Sequence, residues 1–388
     1  MSKKANGEGT IYYSESRKRW IGQITLGIDS KGKTKRKSIY GKTKKDVREK
    51  MLKMQSELIL GEFIEPSHIT IERFIKTLID EDKALNIIND NTYTRKKETY
   101  NKIKKSSIAD VRIQDATETQ IKSFLYSLTD YSDSLIQKEY QLLKRCFAEA
   151  QNQSLISKNI MLNIRCPKSK KAKEKVRALT LSEQKNLFEV LKNPQIPYRE
   201  QMLLMLYTGM RMGEINALDL NDVDLNFKVI SVRRSLTKND EDKTVIGKTT
   251  KTYAGQRKIP LSASAATLLT EYIYSNRYQE NKYNLLFWDG KANKILTTSQ
   301  INCQFKRLLK KYDILDNSVP GKVSLHSLRH TYATRCIEAG MLPKVLQVLL
   351  GHTDIKITLN TYCDAFGEFQ MINIKKVEEY LATQNLIS

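Results

Sequence analysis

Three short runs open the chain in which β-branched and aromatic residues are mixed with polar ones: T-I-Y-Y, R-W-I-G-Q-I-T-L and K-R-K-S-I-Y. Ser, Gly and the turn residues Asp29-Ser30-Lys31-Gly32 separate them, so three strands are expected. Thr43 to Leu60 follows with Val47, Met51 and Leu58 among charged residues, which predicts a helix; a three-stranded sheet plus one helix is expected over 1–62. From Pro66 onward the period turns helical. Phe74, Ile75, Leu78 and Ile79 share a face, and Thr117 with Gln120 makes a capping box ahead of Ile121, Phe124, Leu125 and Leu128. Ser132 or Asp133 can cap the next helix, whose apolar face carries Ile136, Tyr140, Leu143, Phe147 and Ala150. Four or five short helices are expected over 66–164.

Residues 165–178 have almost nothing to bury and read as a linker. A third region spans 179–388. Thr180 and Glu183 form another capping box, and the apolar helix Q-M-L-L-M-L-Y ends at T-G-M-R-M-G-E, where Gly209 and Gly213 bracket Arg211. Strands are expected over Lys228–Leu236 and Thr244–Leu261, with K-N-D-E-D-K as a turn and K-T-Y-A-G-Q as a second. Helices follow from Ala263 to about Arg277 and over Thr298–Tyr312. Gly351 is placed to end the helix P-K-V-L-Q-V-L-L, and a short Ile- and Thr-rich helix ends at Tyr362. The expected class is multidomain α+β: a small N-terminal sheet-plus-helix unit, a helical unit, and a mainly α unit with a small antiparallel sheet.

Charge gives this plan a partner. Lys and Arg outnumber Asp and Glu by 66 to 43, a net charge of +23 over 388 residues, which favours a polyanion. No apolar run suits a membrane span and the N-terminus lacks the apolar core of a signal peptide, so nucleic acid is preferred to a membrane. The first fifty residues hold fifteen Lys or Arg against five Asp or Glu. They concentrate at Arg17, Lys18 and Arg19 and around Lys35, Arg36 and Lys37. Lysines keeping a sheet edge soluble would explain this; a sheet that docks on DNA through phosphates explains the density better. Residues 165–177 carry seven basic residues, Lys168, Lys170 and Lys171 among them, against one acidic. This suits a tether lying along phosphates. Five scattered cysteines (Cys146, Cys166, Cys303, Cys336, Cys363) with no C-x-x-C suit a reducing cytoplasm and argue against zinc.

Three of the four histidines (His326, His330, His352) fall between Leu325 and Tyr362. Arg211, beside glycines at the end of an apolar helix, must pair with an anion, either Glu214 or a phosphate. Arg329 lies three residues after His326, so both project from one helical face. Two guanidiniums on one phosphate would neutralise its oxygens. His352 falls in an inter-helix turn, and the Tyr362 phenol is a candidate nucleophile toward phosphorus. Lys251, between strands, is the candidate acid for a leaving oxygen. His326 and His330 at i, i+4 could also ligate a metal, but no H-E-x-x-H pattern accompanies them.

T-G-M-R-M-G-E, K-T-Y-A-G-Q-R-K-I-P-L, H-S-L-R-H-T-Y-A-T and L-L-G-H-T-D-I-K-I-T-L-N-T-Y resemble the four catalytic boxes of tyrosine recombinases, over about 180–365. The layout resembles the integrase branch from temperate phages and integrative conjugative elements. The resemblance implies that Arg211 and Arg329 bind a scissile phosphate, that His326 and His352 hold or position its oxygens and share proton transfer with the nucleophile, that Tyr362 attacks it and that Lys251 protonates the leaving 5′-oxygen. Lys248 competes for that last role. It further implies an arm-site DNA-binding domain at 1–62, a core-site domain at 66–164 and a catalytic domain from 179. It implies a homotetramer on double-stranded DNA, no metal or other cofactor, an excisionase or host DNA-bending protein as accessory, and a cytoplasmic, nucleoid-associated location. Type IB topoisomerases share the chemistry, and a binding protein with an inactive site is the non-enzymatic alternative. The tail stripe Phe369, Met371, Ile374, Val377 and Tyr380 is expected to pack on a neighbouring protomer.

Overall fold

A computed structural model describes residues 9–28, 32–59, 64, 66–172, 174–239, 243–247, 255–275, 278, 280–290 and 292–384, apart from the side chains at 27, 28, 362–373 and 376. The chain forms two compact units, residues 1–89 with 95–172, and 90–94 with 173–388.

In the first unit β1 (Thr10–Ser14), β2 (Arg19–Ile28) and β3 (Thr34–Gly41) pair antiparallel in that order. Helix α1 (Lys44–Ile59) covers one face through Val47, Met51 and Met54, which pack on Ile24 beside Trp20 and Ile39. Gly22 permits this approach, since a Cβ there would stand 2.4 Å from Met51 Sδ. On the opposite face Tyr12, Ile21 and Tyr40 lie side by side across the three strands. By the alternation of a strand, Arg19, Gln23, Arg36 and Ser38 share that face.

Helices α2 (Ile71–Ala84), α3 (Asp90–Lys104), α4 (Glu118–Ser127) and α5 (Asp133–Asn152) follow. Thr117 and Gln120 close the expected capping box, and Ser132 caps α5 by accepting from the Leu135 N–H. Asp82 on α2, nearly buried, accepts from Lys96 at 2.8 Å and Arg145 Nη2 at 2.6 Å, tying α3 and α5 to α2. Past a 3-10 turn at Ile160–Asn163, the Ser169 N–H donates to Asp133 (2.8 Å) and the Lys170 N–H to the Thr129 carbonyl (2.8 Å).

The second unit begins with Val176 bridged to Lys322 and with Arg177 forked onto the buried Glu183 by two 2.7 Å bonds. Burial opposes ionisation of Glu183, but Arg177 and the N–H groups of Thr180 and Asp316 outweigh it and hold its pKa down to about 2. Helix α6 (Leu181–Leu191) starts there, and α7 (Arg199–Thr208), apolar nearly all round, is the buried centre of the unit. A single turn, α8 (Met212–Ile215), leads to β4 (Val223–Asp224), β5 (Val229–Val232), β6 (Leu236–Lys238), β7 (Thr244–Ile246) and β8 (Arg257–Pro260). These make an antiparallel sheet β4-β5-β8 and a separate β6-β7 hairpin. The strand expected over Lys228–Leu236 is therefore two. Arg233 and Arg234 interrupt it by turning onto Asp222 and Asp219, with Asp222 itself buried. The remaining helices are α9 (Ala263–Ile273), α10 (Thr298–Lys311), α11 (Leu325–Glu338), α12 (Pro343–Leu350) and α13 (Ile355–Thr383). Tyr362 lies within α13, which runs on for five further turns, where the sequence suggested a short helix ending there. Among the described residues no helix is long and apolar enough to cross a membrane.

Glu139 on α5 is 2% exposed and its Oε2 has no hydrogen-bond partner. Burial pushes its carboxyl up to about 8, against a small opposing pull from Lys102. The unfolded chain ionises near 4.5 while the folded one holds its proton, so stability falls as pH rises between these values. Glu139→Gln is expected to match the wild type near pH 4 and to exceed it in denaturant stability by a margin that grows up to about pH 8. A margin independent of pH would contradict this.

Candidate active site

Three turns at helix ends build the site. Gly209 ends α7 with φ +64, Arg211 is the N-cap of α8, and Gly351 ends α12 with φ +65. At the end of α12 every carbonyl has an assigned partner. The Gly351 N–H donates to Val348 (3.0 Å) and the His352 N–H to Gln347 (3.1 Å). The next three carbonyls each take an arginine. Arg257 Nε donates to Leu349 (2.6 Å), Arg329 Nη2 to Leu350 (2.7 Å) and Arg211 Nη2 to Gly351 (3.3 Å). Arg329 also donates through Nη1 to the Gly209 carbonyl at 2.7 Å. The negative end of the α12 dipole thus gathers three cations from three distant segments.

Glu214 is the carboxylate bonded into this cluster. It accepts from Arg211 Nη1 (2.8 Å), the Arg211 N–H (2.9 Å) and both Nη atoms of Arg257 (3.2 and 2.9 Å). Burial alone would raise its pKa, but the Arg257 hydrogen bonds and the charges of Arg257 and Arg211 hold it below the usual carboxylate range. Arg329 is 3% exposed; burial first, then Arg211, pull its pKa down to about 9, so it stays charged at neutral pH. Arg211 is the open member, its side chain 41% exposed. Three guanidiniums around one carboxylate leave an excess of positive charge facing a cleft.

That cleft, of about 550 Å³, is lined by His326, Arg329 and His330 of α11, by His352, by Asn360 and Thr361 of α13, and by Lys175–Ala178. His326 also lines a second pocket, of about 380 Å³, with Arg211 and Ser324. The His326 ring is open to solvent on one side and meets His330 edge-on at 4.9 Å. Desolvation on its other side, followed by the charges of His330, Arg329 and Arg211, lowers its pKa to about 4. His352 is lowered to about 4 as well, by burial and then by Arg329, Arg211 and Arg257. Both rings are therefore neutral at pH 7 and able to donate a hydrogen bond. His352 Nδ1 shares a 2.9 Å hydrogen bond with Oγ1 of the buried Thr358. Thr358 sits one turn before Tyr362, so the turn that holds His352 is tied to the helix that carries the tyrosine. No group of three His, Cys, Asp or Glu side chains among the described residues could hold a metal.

Of the residues singled out from sequence, Arg211, His326, Arg329 and His352 come together here. Tyr362 is on the cleft-lining helix with its side chain outside the description, and Lys251 and Lys248 lie outside the described residues. Arg17 and Arg19 gather over the Tyr40 ring at 6.0 and 5.8 Å, with Lys18 in the turn between them. Arg36 alternates onto the open face of the sheet, while Lys35 and Lys37 alternate to the side that α1 covers. Lys168, Lys170 and Lys171 follow the helices of the first unit, Lys170 paired with Asp130 at 3.4 Å. Sequence reading missed Arg257 and Thr358. The signal for Arg257 was a charged residue at an inward position of the R-K-I-P strand, where burial alternates.

Residues 177–368 match the phage integrase family. A tyrosine recombinase XerC-like protein of Caldanaerobacter subterraneus subsp. tengcongensis is 28% identical over 382 residues, covering 93% of this chain and 95% of that one. The fold is shared with the Tn1549 transposon integrase solved with a circular intermediate DNA (TM-score 0.66, 21% identity, 78% of this chain and 99% of that one). It is shared too with a lambda integrase tetramer bound to a Holliday junction (TM-score 0.55, 17% identity, 92% and 96%). The chain belongs to the tyrosine recombinases, in their integrase branch. It is a DNA breaking-and-rejoining enzyme.

Gly209 joins fold to site. A Cβ there would stand 2.3 Å from Tyr332 Cδ1 and 2.8 Å from Leu350 Cδ2, besides straining the positive φ. Gly209→Ala is expected to cost about 2–3 kcal/mol in denaturant unfolding and to depress cleavage further, since its carbonyl holds Arg329. Unchanged stability and cleavage would contradict this.

Proposed function

We propose that this chain cuts and rejoins DNA at defined sites through Tyr362, integrating and excising a mobile element. The observation that carries the reading is the cluster of the open Arg211 with the buried Arg257 and Arg329 around the carboxylate of Glu214, beside two neutral imidazoles. Such a site carries an excess of positive charge, which the oxygens of a phosphodiester can offset. In this reading Arg211 and Arg329 hold the non-bridging oxygens of the scissile phosphate while His326 and His352 donate to it. The Tyr362 phenol passes its proton to one of the two neutral imidazoles as its oxygen bonds to phosphorus and the bond to the 5′-oxygen breaks, and Lys251 gives that leaving oxygen a proton. The product is a 3′-phosphotyrosine, which keeps the bond energy for rejoining to another 5′-hydroxyl.

Arm-site DNA binding is assigned to residues 1–62, and the open face bearing Tyr12, Arg19, Arg36 and Tyr40 supports it. Residues 66–164 take the core site, with Lys168, Lys170 and Lys171 of the 165–178 linker following the phosphates, and 179–388 form the catalytic domain. A homotetramer on DNA is supported by the shared fold with the lambda integrase tetramer. An excisionase or host DNA-bending protein as accessory and a cytoplasmic, nucleoid-associated location complete the proposal. The first-unit sheet and the integrase match disfavour a topoisomerase, and the filled site disfavours an inactive binder.

A nicked suicide duplex carrying the ends of the chain's own element tests this. In EDTA the wild type is expected to form a covalent protein–DNA adduct, and Tyr362→Phe to bind without cleaving. A sulfur at the 5′-bridging position should rescue Lys251→Ala, because a thiolate leaves without a proton. Adduct formation by Tyr362→Phe, or rescue of Lys248→Ala in its place, would overturn the respective assignment.

A further inference from the structure

Arg257 has no role among the groups that meet DNA, and its bonds explain why. Its side chain is 3% exposed. Nε is engaged by Leu349, Nη2 by Glu214, and Nη1 by Glu214 and by the Gly255 carbonyl at 3.1 Å. Four of its five N–H donors are taken, and Arg257 lines neither of the two pockets. What the fork does is span two pieces of the site. One is Glu214, which holds the backbone and the guanidinium of Arg211. The other is the end of α12, whose next two carbonyls hold Arg329 and Arg211.

The burial of a third cation here works against the cluster, since like charges in a dry site repel. Neutralising Glu214 does not require it, because Arg211 already pairs with that carboxylate at 2.8 Å. A planar fork with donors on three nitrogens can fix the separation of two acceptors at once, which an ammonium cannot.

We propose that Arg257 is a positioning residue: by bridging Glu214 to the Leu349 carbonyl it sets the spacing between Arg211 and Arg329. The proposal rests on the reading that those two arginines hold the scissile phosphate.

The test compares wild type with Arg257→Lys, and with the double variant Glu214→Gln/Arg257→Met, which removes both charges so that neither is stranded in the core. Each cleaves a suicide duplex with either an ordinary phosphodiester or a methylphosphonate at the scissile position. A methylphosphonate carries no charge and needs no matched pair of guanidiniums. On the phosphodiester both variants are expected to cleave about 100-fold more slowly than wild type, with duplex binding little changed. On the methylphosphonate the gap to wild type should shrink to about threefold. An equal gap on both substrates would make Arg257 a purely structural residue and overturn the proposal, as would no gap on either. Failure of both variants to fold would assign Arg257 to the core, with the same result. A wild-type chain that forms no adduct on the phosphodiester would instead bring down the reading of the site itself.

Discussion

A helix that stops leaves its last carbonyls without partners, and the end of α12 turns that deficit into a scaffold. Leu349, Leu350 and Gly351 each accept from a different arginine, drawn from β8, α11 and the turn before α8. A hydrogen bond from a charged donor contributes about 1.5–3 kcal/mol, whereas two unit charges about 4 Å apart at an effective permittivity of 20 repel by about 4 kcal/mol. The carbonyls and Glu214 together offset that repulsion well enough to hold the cations close, but one carboxylate does not neutralise three guanidiniums. The guanidiniums are therefore held in place by the protein's own acceptors and keep a net positive charge.

The remaining parts are fastened to this helix end. Gly209 lets α7 stop against Tyr332 and Leu350, which places its carbonyl on Arg329. Thr358 binds His352, so the turn after α12 and the first turns of α13 are held together. On the other wall, Leu179 donates through its N–H to the buried Thr331 of α11 and accepts through its carbonyl from Arg335. The residues just past 173 thus brace the helix that carries His326 and Arg329. The low pKa of both histidines follows first from burial and then from the same crowding, because they would add a fourth and a fifth positive charge to three guanidiniums that share one carboxylate.

Much of this could be read from sequence, and what could not has identifiable causes. Capping boxes at Thr117 and Thr180 announced two helices because the cap is a local bond between neighbours. Gly351 was placed correctly at the end of α12 because φ above zero favours glycine. The break between β5 and β6 was not legible, since it depends on Asp219 and Asp222 more than ten residues away in the chain. The length of α13 was hidden as well. Its β-branched start, I-K-I-T, disfavours a helix, and packing against α11 and α12 with Thr358 pinned to His352 overrides that preference. Arg257 escaped notice because its partners, Glu214 and Leu349, are 43 and 92 positions distant. Motifs displayed the residues assigned to the substrate, but not Arg257, whose bonds join two motifs.

If the proposed function holds, the end of α12 sets the arginines in place before DNA binds. A crystal structure of the Tyr362→Phe chain on its core-site duplex tests it most directly. The scissile phosphate is expected between Arg211 and Arg329, with His326 and His352 donating to it, while the bonds to Leu349, Leu350 and Gly351 persist. Arginines that leave those carbonyls to reach the phosphate, or a phosphate bound elsewhere in the cleft, would contradict it.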